Sequence, residues 1–469
     1  MLMIENKTFD EISVGQSASS SKTLTLQDIQ LFGAASGDLN PTHFADEEAE
    51  AVQQSKVVGH SLWGASLISG VLGNELPGAG TVYRHQDLNF HSLIELGDTL
   101  TVTVTVKEKV AADHSVIFDC LVVNQRGEKV IDGQAVVRAP TEKIVRPPVR
   151  LSEIKFTRGH HVFENLIERC KTLEPVVTAV CHPCDEVSLM GAVEAARQGI
   201  IRPILIGPKD KIQAVAREHC ADISTYRIVD TAHSHESAEK SVAMCRCGEA
   251  EALMKGSLHT DEMMHEVARR DVGLRTGRRI SHVFVMDVPS YPRLLLISDA
   301  AINIYPTLED KRDICQNAID LAHVLDIPQP RVAILSAVET VYPKIASTLE
   351  AAALCKMADR GQITGGILDG PLAFDNAVSE EAARIKKIVS PVAGKADVLL
   401  VPDLEAGNML AKQLAYLADA DAAGIVLGAR VPIILTSRAD SAKARLASCA
   451  VGALYAASRR KTGVAVAAQ

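Results

Sequence analysis

The stretch "GDTLTVTVTV", Gly97 to Val106, alternates threonine with leucine or valine from Thr99 onward. Residues two apart share one face of an extended chain, so this period makes a strand with one apolar and one polar face. The following "SVIFDCLVVNQRGEKVIDGQAVVRA" reads as two more strands around a turn at Arg126-Gly127. Upstream, "HSLWGASLISGVLG" (His60 to Gly73) is apolar or small almost all round. A helix of that kind is expected to be buried, here wrapped by the sheet. One helix against a curled antiparallel sheet is an α+β layer architecture.

The whole chain has 469 residues, 47% of them hydrophobic, and a net charge of −9. That length predicts two or three domains. A mildly acidic, mixed-sign balance argues against a general nucleic-acid or anionic-membrane binder. The start, "MLMIENKTFDEI", lacks a basic region leading into an apolar one, and no apolar run reaches the length of a membrane span. Ten scattered cysteines suit a reducing compartment, so the expected location is the cytoplasm. "CHPC" (Cys181, Cys184) and "CRC" (Cys245, Cys247) lack partner pairs at structural-zinc spacing and read as reduced thiols in a packed protein; no metal is expected.

Around "APTEKIVRPPVRLSEIKF" the pattern changes. Three prolines, mixed charge and no helical period mark a linker, taken as 141–157, between a domain at 1–140 and another at 158–469. Beyond it strands and helices alternate. "RVAILS", "GGILDG", "DVLLVPD" and "GIVLGA" are short continuous apolar runs, as expected of parallel strands buried on both faces. Thr307 with Asp310 forms an N-cap pattern, and Ile314, Ala318, Leu321, Ala322 and Leu325 then fall on one helical stripe. This portion is α/β and long enough to form two lobes with a cleft.

Two places carry chemistry. In "FGAASGDLNPTHFADEEA", Asp38 and His43 lie in a loop of Gly, Asn and Pro. A carboxylate and an imidazole converging on one point hold a water, one group removing its proton and the other positioning it or returning the proton. A helix-capping Asp and a solvated His would give the same pattern. "SGDLNPTHFADEEA" resembles the hydratase signature of the MaoC-like, (R)-specific enoyl-CoA hydratase family, and the likeness continues through "VVGHSLWGASLISGVLGNELPGAGTVYRHQDLNFHSLIELGDTLTVTVTV". It implies a hotdog fold and, by position, makes Asp38 and His43 the pair that activates water. It makes Asn40 the loop residue that supports them, and Gly59 the backbone N–H that polarises the thioester carbonyl. Two departures, His60-Ser61-Leu62 for the usual His-Gly-Met and Ser92-Leu93-Ile94-Glu95 before "GDTL", bear on acyl-chain preference.

The second place is built from cations. "LMKGSLHTDEM" sets Lys255 beside a glycine turn and a helix start, a weak anion-site pattern. "GLRTGRRISHVF" gathers Arg275, Arg278 and Arg279 ahead of a strand, where they either grip phosphate or form a solvated basic turn. "VPIILTSRADSAKARLAS" puts Ser437-Arg438 just past a buried strand, at the carboxyl end where α/β sheets bind ligands. With "LDGPLAFDNAVS" and "PDLEAGNMLAKQL", these resemble the phosphate acetyl/butyryltransferase family over roughly residues 160 to 460, closer to the butyryl branch. The resemblance implies a two-lobed α/β phosphotransacylase domain, usually dimeric. It makes Ser437 and Arg438 the pair near the reacting thioester, and one of Arg275, Arg278 or Arg279 the second phosphate ligand. Where the acetyl branch carries an Asp seven residues after the Ser, this chain has Ala444, which leaves the base open.

The expectation is a bifunctional enzyme, an α+β hotdog domain followed by a two-lobed α/β domain, acting on CoA thioesters and phosphate with no tightly bound cofactor. The alternative keeps the transacylase and makes the hotdog domain a CoA-binding or oligomerisation module. A homo-oligomer, dimer or higher, is expected, without nucleic-acid or membrane partners.

Overall fold

The computed structural model describes residues 4–44, 57–147, 162–436 and 440–461. The chain divides into two compact units, Met1–Phe156 and Thr157–Gln469.

The strand-period residues do form strands. Unit 1 runs β1 (Ile4–Glu5), β2 (Ser17–Thr23), α1 (Leu26–Ser36), α2 (Ser61–Asn74), β3 (Val82–Phe90) and β4 (Thr99–Val110). It ends in β5 (Ser115–Val123), β6 (Lys129–Arg138) and β7 (Val145–Arg146). A five-stranded antiparallel sheet in the order β2-β4-β5-β6-β3 packs on α2, a hotdog arrangement. Leu100, Val102, Val104 and Val106 of β4 are buried while the threonines between them are half-buried, as the alternation requires.

Helix α2 departs from the all-round burial its composition suggested. Trp63, Gly64, Ile68, Val71 and Leu72 are buried, whereas Leu62, Ser66, Ser69 and Gly70 are exposed, because one sheet covers one side. Gly64 lets the buried side of α2 pack closely: a Cβ there would lie 2.7 Å from Ile94 Cδ1, in the β3–β4 connection, and 3.1 Å from Ile131 Cδ1 of the sheet.

The expected linker begins later than residue 141. Buried Asn6 donates to the carbonyls of Ala79 (3.0 Å) and Glu142 (2.9 Å) and accepts from the Ile144 N–H (2.9 Å). β7 pairs with β1, so 142–146 belong to unit 1. A buried amide must satisfy its donors and acceptor, and here it does so by tying down the returning chain.

Unit 2 begins with α3 (Val162–Lys171), β8 (Val176–Cys181), α4 (Glu186–Arg197), β9 (Ile201–Gly207), α5 (Lys209–Glu218) and β10 (Arg227–Asp230). Next come α6 (Ser234–Arg246), β11 (Ala252–Lys255), α7 (Thr260–Ala268), β12 (Ser281–Asp287), β13 (Leu295–Ser298) and α8 (Leu308–Val324). Then follow β14 (Arg331–Leu335), α9 (Ala346–Asp359), β15 (Ile367–Leu372), α10 (Phe374–Val378), α11 (Glu380–Ile385) and β16 (Val398–Leu400). The last elements are α12 (Leu404–Leu417), β17 (Asp421–Leu427), β18 (Ile433–Ile434) and α13 (Ala442–Lys461). The Thr307–Asp310 capping box opens α8 as its sequence predicts, and the Ile314 to Leu325 stripe is buried.

The eleven strands among the described residues of unit 2 form one sheet, β10-β9-β8-β11-β18-β17-β12-β13-β16-β14-β15. β8 to β11 and β18 run parallel. β17 is antiparallel to both β18 and β12, and β13 is antiparallel to β12. β13, β16, β14 and β15 then run parallel to one another. The two halves therefore point opposite ways, and their carboxyl ends lie at opposite edges.

Candidate active sites

In unit 1, α1 stops at Gly37, which adopts the left-handed φ of +76° and donates to the Gly33 carbonyl, so the chain turns sharply into Asp38. Asn40 then caps a 3-10 turn, Pro41–His43: its side chain accepts the Thr42 N–H (3.2 Å), and its own N–H reaches Asp38 Oδ1 (3.3 Å). This brings His43 Nε2 to 3.8 Å from Asp38 Oδ2, close enough for both to reach one water beside them. His43 Nδ1 lies 2.7 Å from the Val58 carbonyl. A carbonyl only accepts, so the neutral ring carries its proton on Nδ1 and turns an unprotonated Nε2 toward the carboxylate.

His60, at the N-cap of α2, completes the arrangement. It is buried, its ring stacks on His43 (3.8 Å between centroids, 30° between planes), and its Nε2–H donates to the Asp38 carbonyl (3.0 Å). It thereby holds the backbone of one group and the ring of the other. His60 stood in the sequence as part of a helix start, and nothing local marked it as a neighbour of His43.

Gly59 does not supply an unused donor: its N–H is given to the Ile94 carbonyl at 2.7 Å. Its lack of a side chain serves packing, since a Cβ would lie 2.4 Å from Leu24 Cδ2. Among the described residues, the amides that open α2, at Ser61 and Leu62, have no hydrogen-bond acceptor, as the first N–H groups of a helix lack one within it.

In unit 2, β8, β11 and β18 lie side by side and deliver His182, Lys255 and Thr436 to one edge. Ser437 and Arg438, which follow Thr436, lie outside the described residues. Lys255 is buried at the end of β11. Gly256 permits the close crossing there, because a Cβ would sit 2.3 Å from the Cys181 carbonyl oxygen. Arg445, absent from the sequence expectations, is also buried; its guanidinium donates to Thr436 Oγ1 (3.2 Å) and faces the carboxylates of Asp440 and Asp185. Two buried cations thus flank the strand end that leads into Ser437-Arg438. Cys181 of "CHPC" is a core thiol, pushed up to about 12 by burial.

Arg275, Arg278 and Arg279 do not gather at this edge. Arg275 bridges Ala429, beyond the opposite end of β17. Arg278 approaches Tyr455, ten residues past Arg445 on α13, or about 15 Å by helical rise. The three line a separate cleft of about 510 Å³ with Asn303, Asp310 and Asp313. Arg278 is paired with Asp320, and Arg279 with Asn303 Oδ1 (2.6 Å) and Asp310 (3.5 Å). Among the described residues Arg275 forms no ion pair.

The family model for "Phosphate acetyl/butaryl transferase" matches residues 233–453, and that for the "MaoC like domain" matches residues 10–122. A phosphate acetyltransferase of Rhizobium meliloti is 66% identical over 303 residues, 65% of this chain and 96% of that protein. The chain belongs to the phosphate acetyl/butyryltransferase family. Within this family the phosphate butyryltransferase of Clostridium acetobutylicum is 41% identical over 63% of this chain and 99% of its own length. The higher identity thus lies with a relative named for acetyl transfer, against the expectation of a closer butyryl likeness. Among solved structures, a branched-chain phosphotransacylase from Enterococcus faecalis V583 aligns with TM-score 0.54 and 27% identity, over 60% of this chain and 99% of that one. In this member a MaoC-like hotdog unit precedes the transferase unit.

Proposed function

We propose that the chain is a two-site enzyme on CoA thioesters, hydrating short enoyl-CoA in unit 1 and exchanging acyl groups between CoA and phosphate in unit 2. Family membership supports the second activity. One observation carries the first: His43 is oriented by the Val58 carbonyl so that its Nε2 and the Asp38 carboxylate lie 3.8 Å apart, close enough for both to reach one water beside them.

Both groups accept hydrogen bonds from the same water. As one takes a proton, the oxygen adds to the β-carbon, and the electron pair moves onto the thioester oxygen. In this reading the opening amides of α2 meet that charge, as N–H groups at a helix N-terminus favour an anion. The proton returns to the α-carbon, so H and OH add in total. In unit 2, Lys255, Arg445 and Arg438 supply positive charge for phosphate and for the tetrahedral carbon, without a metal.

Self-association is part of this reading. β3 is an edge strand that exposes Val82, Tyr83 and Phe90, and α12 exposes Met409, Tyr416 and Leu417. Free edges and apolar patches of this kind are pairing surfaces. No described helix is long and apolar enough to cross a membrane.

The test is one preparation given crotonyl-CoA, or acetyl-CoA or butyryl-CoA with phosphate, following loss of the enoyl chromophore and release of thiol separately. Thiol release without hydration would leave the hotdog unit as a binding or oligomerisation module. Arg438→Gln should raise the phosphate requirement; an unchanged phosphate dependence would remove it from the site.

A further inference from the structure

From β8 the chain passes through α4 to β9 on one side, and from β10 it returns through α6 to β11 on the other. The crevice between the carboxyl ends of β8 and β11 is therefore a topological switch point, where α/β sheets take ligands. His182 is the first residue beyond β8 and has a left-handed φ of +56°, uncommon for a residue with a side chain. The β11 end holds it there: its carbonyl accepts from the Ser257 N–H and Oγ–H, both at 2.9 Å.

The ring's tautomer follows from its partner. His182 Nδ1 is 3.0 Å from Ser237 Oγ, a fully buried hydroxyl. Ser237 gives its one proton to the His233 carbonyl (2.9 Å), so toward Thr231 Oγ1 (2.8 Å) and His182 it only accepts. The proton between His182 and Ser237 is on Nδ1, and Nε2 is left as an acceptor.

Four ionisable groups face the ring: Lys211 from α5, Glu262 from α7, Asp185 at the cap of α4 and His233 at the cap of α6. Burial, then Lys211, hold it below the ordinary imidazole value against the two carboxylates, which keeps it neutral near pH 7.

We propose that His182 Nε2 is the proton acceptor for the CoA thiol in unit 2, the role left open by alanine at 444. This rests on the transacylase reading given above. Running toward acyl-CoA, the thiol proton passes to Nε2, sulfur bonds to the acyl carbon, and the carbon–oxygen bond to phosphate breaks with its electron pair leaving on phosphate. In the other direction the imidazolium returns the proton to the departing thiolate. β8, β11 and β18 are neighbours, so about 10 Å of sheet separates His182 from the strand leading to Ser437.

The experiment uses the full chain, with acetyl phosphate and CoA, and kcat measured from pH 5.5 to 9. His182→Asn tolerates the left-handed backbone, and its amide retains the bond to Ser237, but it has no proton acceptor in place of Nε2. It should lower kcat by about 10²-fold or more, leave KM for CoA within about threefold, and abolish the acid limb of the profile. Ser237→Ala should move the midpoint of that limb. Wild-type kcat in His182→Asn, a loss equal at every pH, or an effect confined to KM overturns the proposal, as does an unmoved limb in Ser237→Ala. Asp440→Asn is the control: loss of the acid limb there, with His182→Asn retaining it, assigns the proton to Asp440 instead. An inactive wild-type chain would sink the transacylase reading itself, a separate outcome.

Discussion

Replacing Asp38 with asparagine separates chemistry from folding. The carboxylate is half-exposed, its contact with His43 is a loose 3.8 Å, and its other bond is the one Oδ1 accepts from the Asn40 N–H. Asparagine keeps an oxygen for that N–H, and even a charged half-exposed pair would contribute only about 0.5 kcal/mol, an upper bound for this contact with a neutral imidazole. The loss of stability should therefore stay below about 0.5 kcal/mol. Removing a general base costs about 10²- to 10⁴-fold in rate, or about 2.7 to 5.5 kcal/mol in the barrier. The predicted effect on hydration thus exceeds the effect on folding at least fivefold. The assay is enoyl absorbance with crotonyl-CoA, and phosphate-dependent thiol release from the same preparation is the internal control, since the second site lies in the other unit. Hydration by Asp38→Asn within threefold of wild type would show that the carboxylate takes no part. A lowered denaturant midpoint for the hotdog unit, alongside the fall in hydration, would trace the effect to unfolding instead.

Other outcomes can be checked more briefly. Gly256→Ala should destabilise unit 2 by several kcal/mol and abolish transacylation, because the new carbon would sit 2.3 Å from one backbone oxygen and 2.5 Å from another; denaturant melts decide this. His282 is buried and held at about 3, below its value of about 6.5 in the unfolded chain. Between those values the unfolded chain binds the extra proton, so stability is lost as pH falls through this window, by about 1.4 kcal/mol per pH unit from this group. His282→Leu should flatten that dependence in urea titrations at pH 7 and pH 5, and an identical slope would contradict the burial argument. Residues 1–147 and 157–469 expressed separately should each keep their own activity in the two assays.

Local patterns in the sequence carried far because their causes are local. The Thr-Val alternation of 97–106 is the pleat of β4, the Arg126-Gly127 turn joins β5 to β6 with Gly127 at φ +77°, and Thr307 with Asp310 opens α8. Asp38 and His43 were legible for the same reason, since a glycine stop and an Asn-capped turn between them set their geometry within a few residues. Long-range assembly was not legible. His60 reaches His43 because α2 packs under the sheet, and Ile94 takes the Gly59 N–H because the chain returns beside it. The three arginines before β12 looked like partners of Ser437-Arg438, yet strand order and direction send them to the far edge. His182 passed as part of a cysteine motif, and Arg445 as one more basic residue on a helix; burial and the neighbours that β8, β11 and β18 bring together give them their chemistry. Backbone period and capping are written over a few residues, whereas which strand ends meet depends on pairings between segments far apart in the chain.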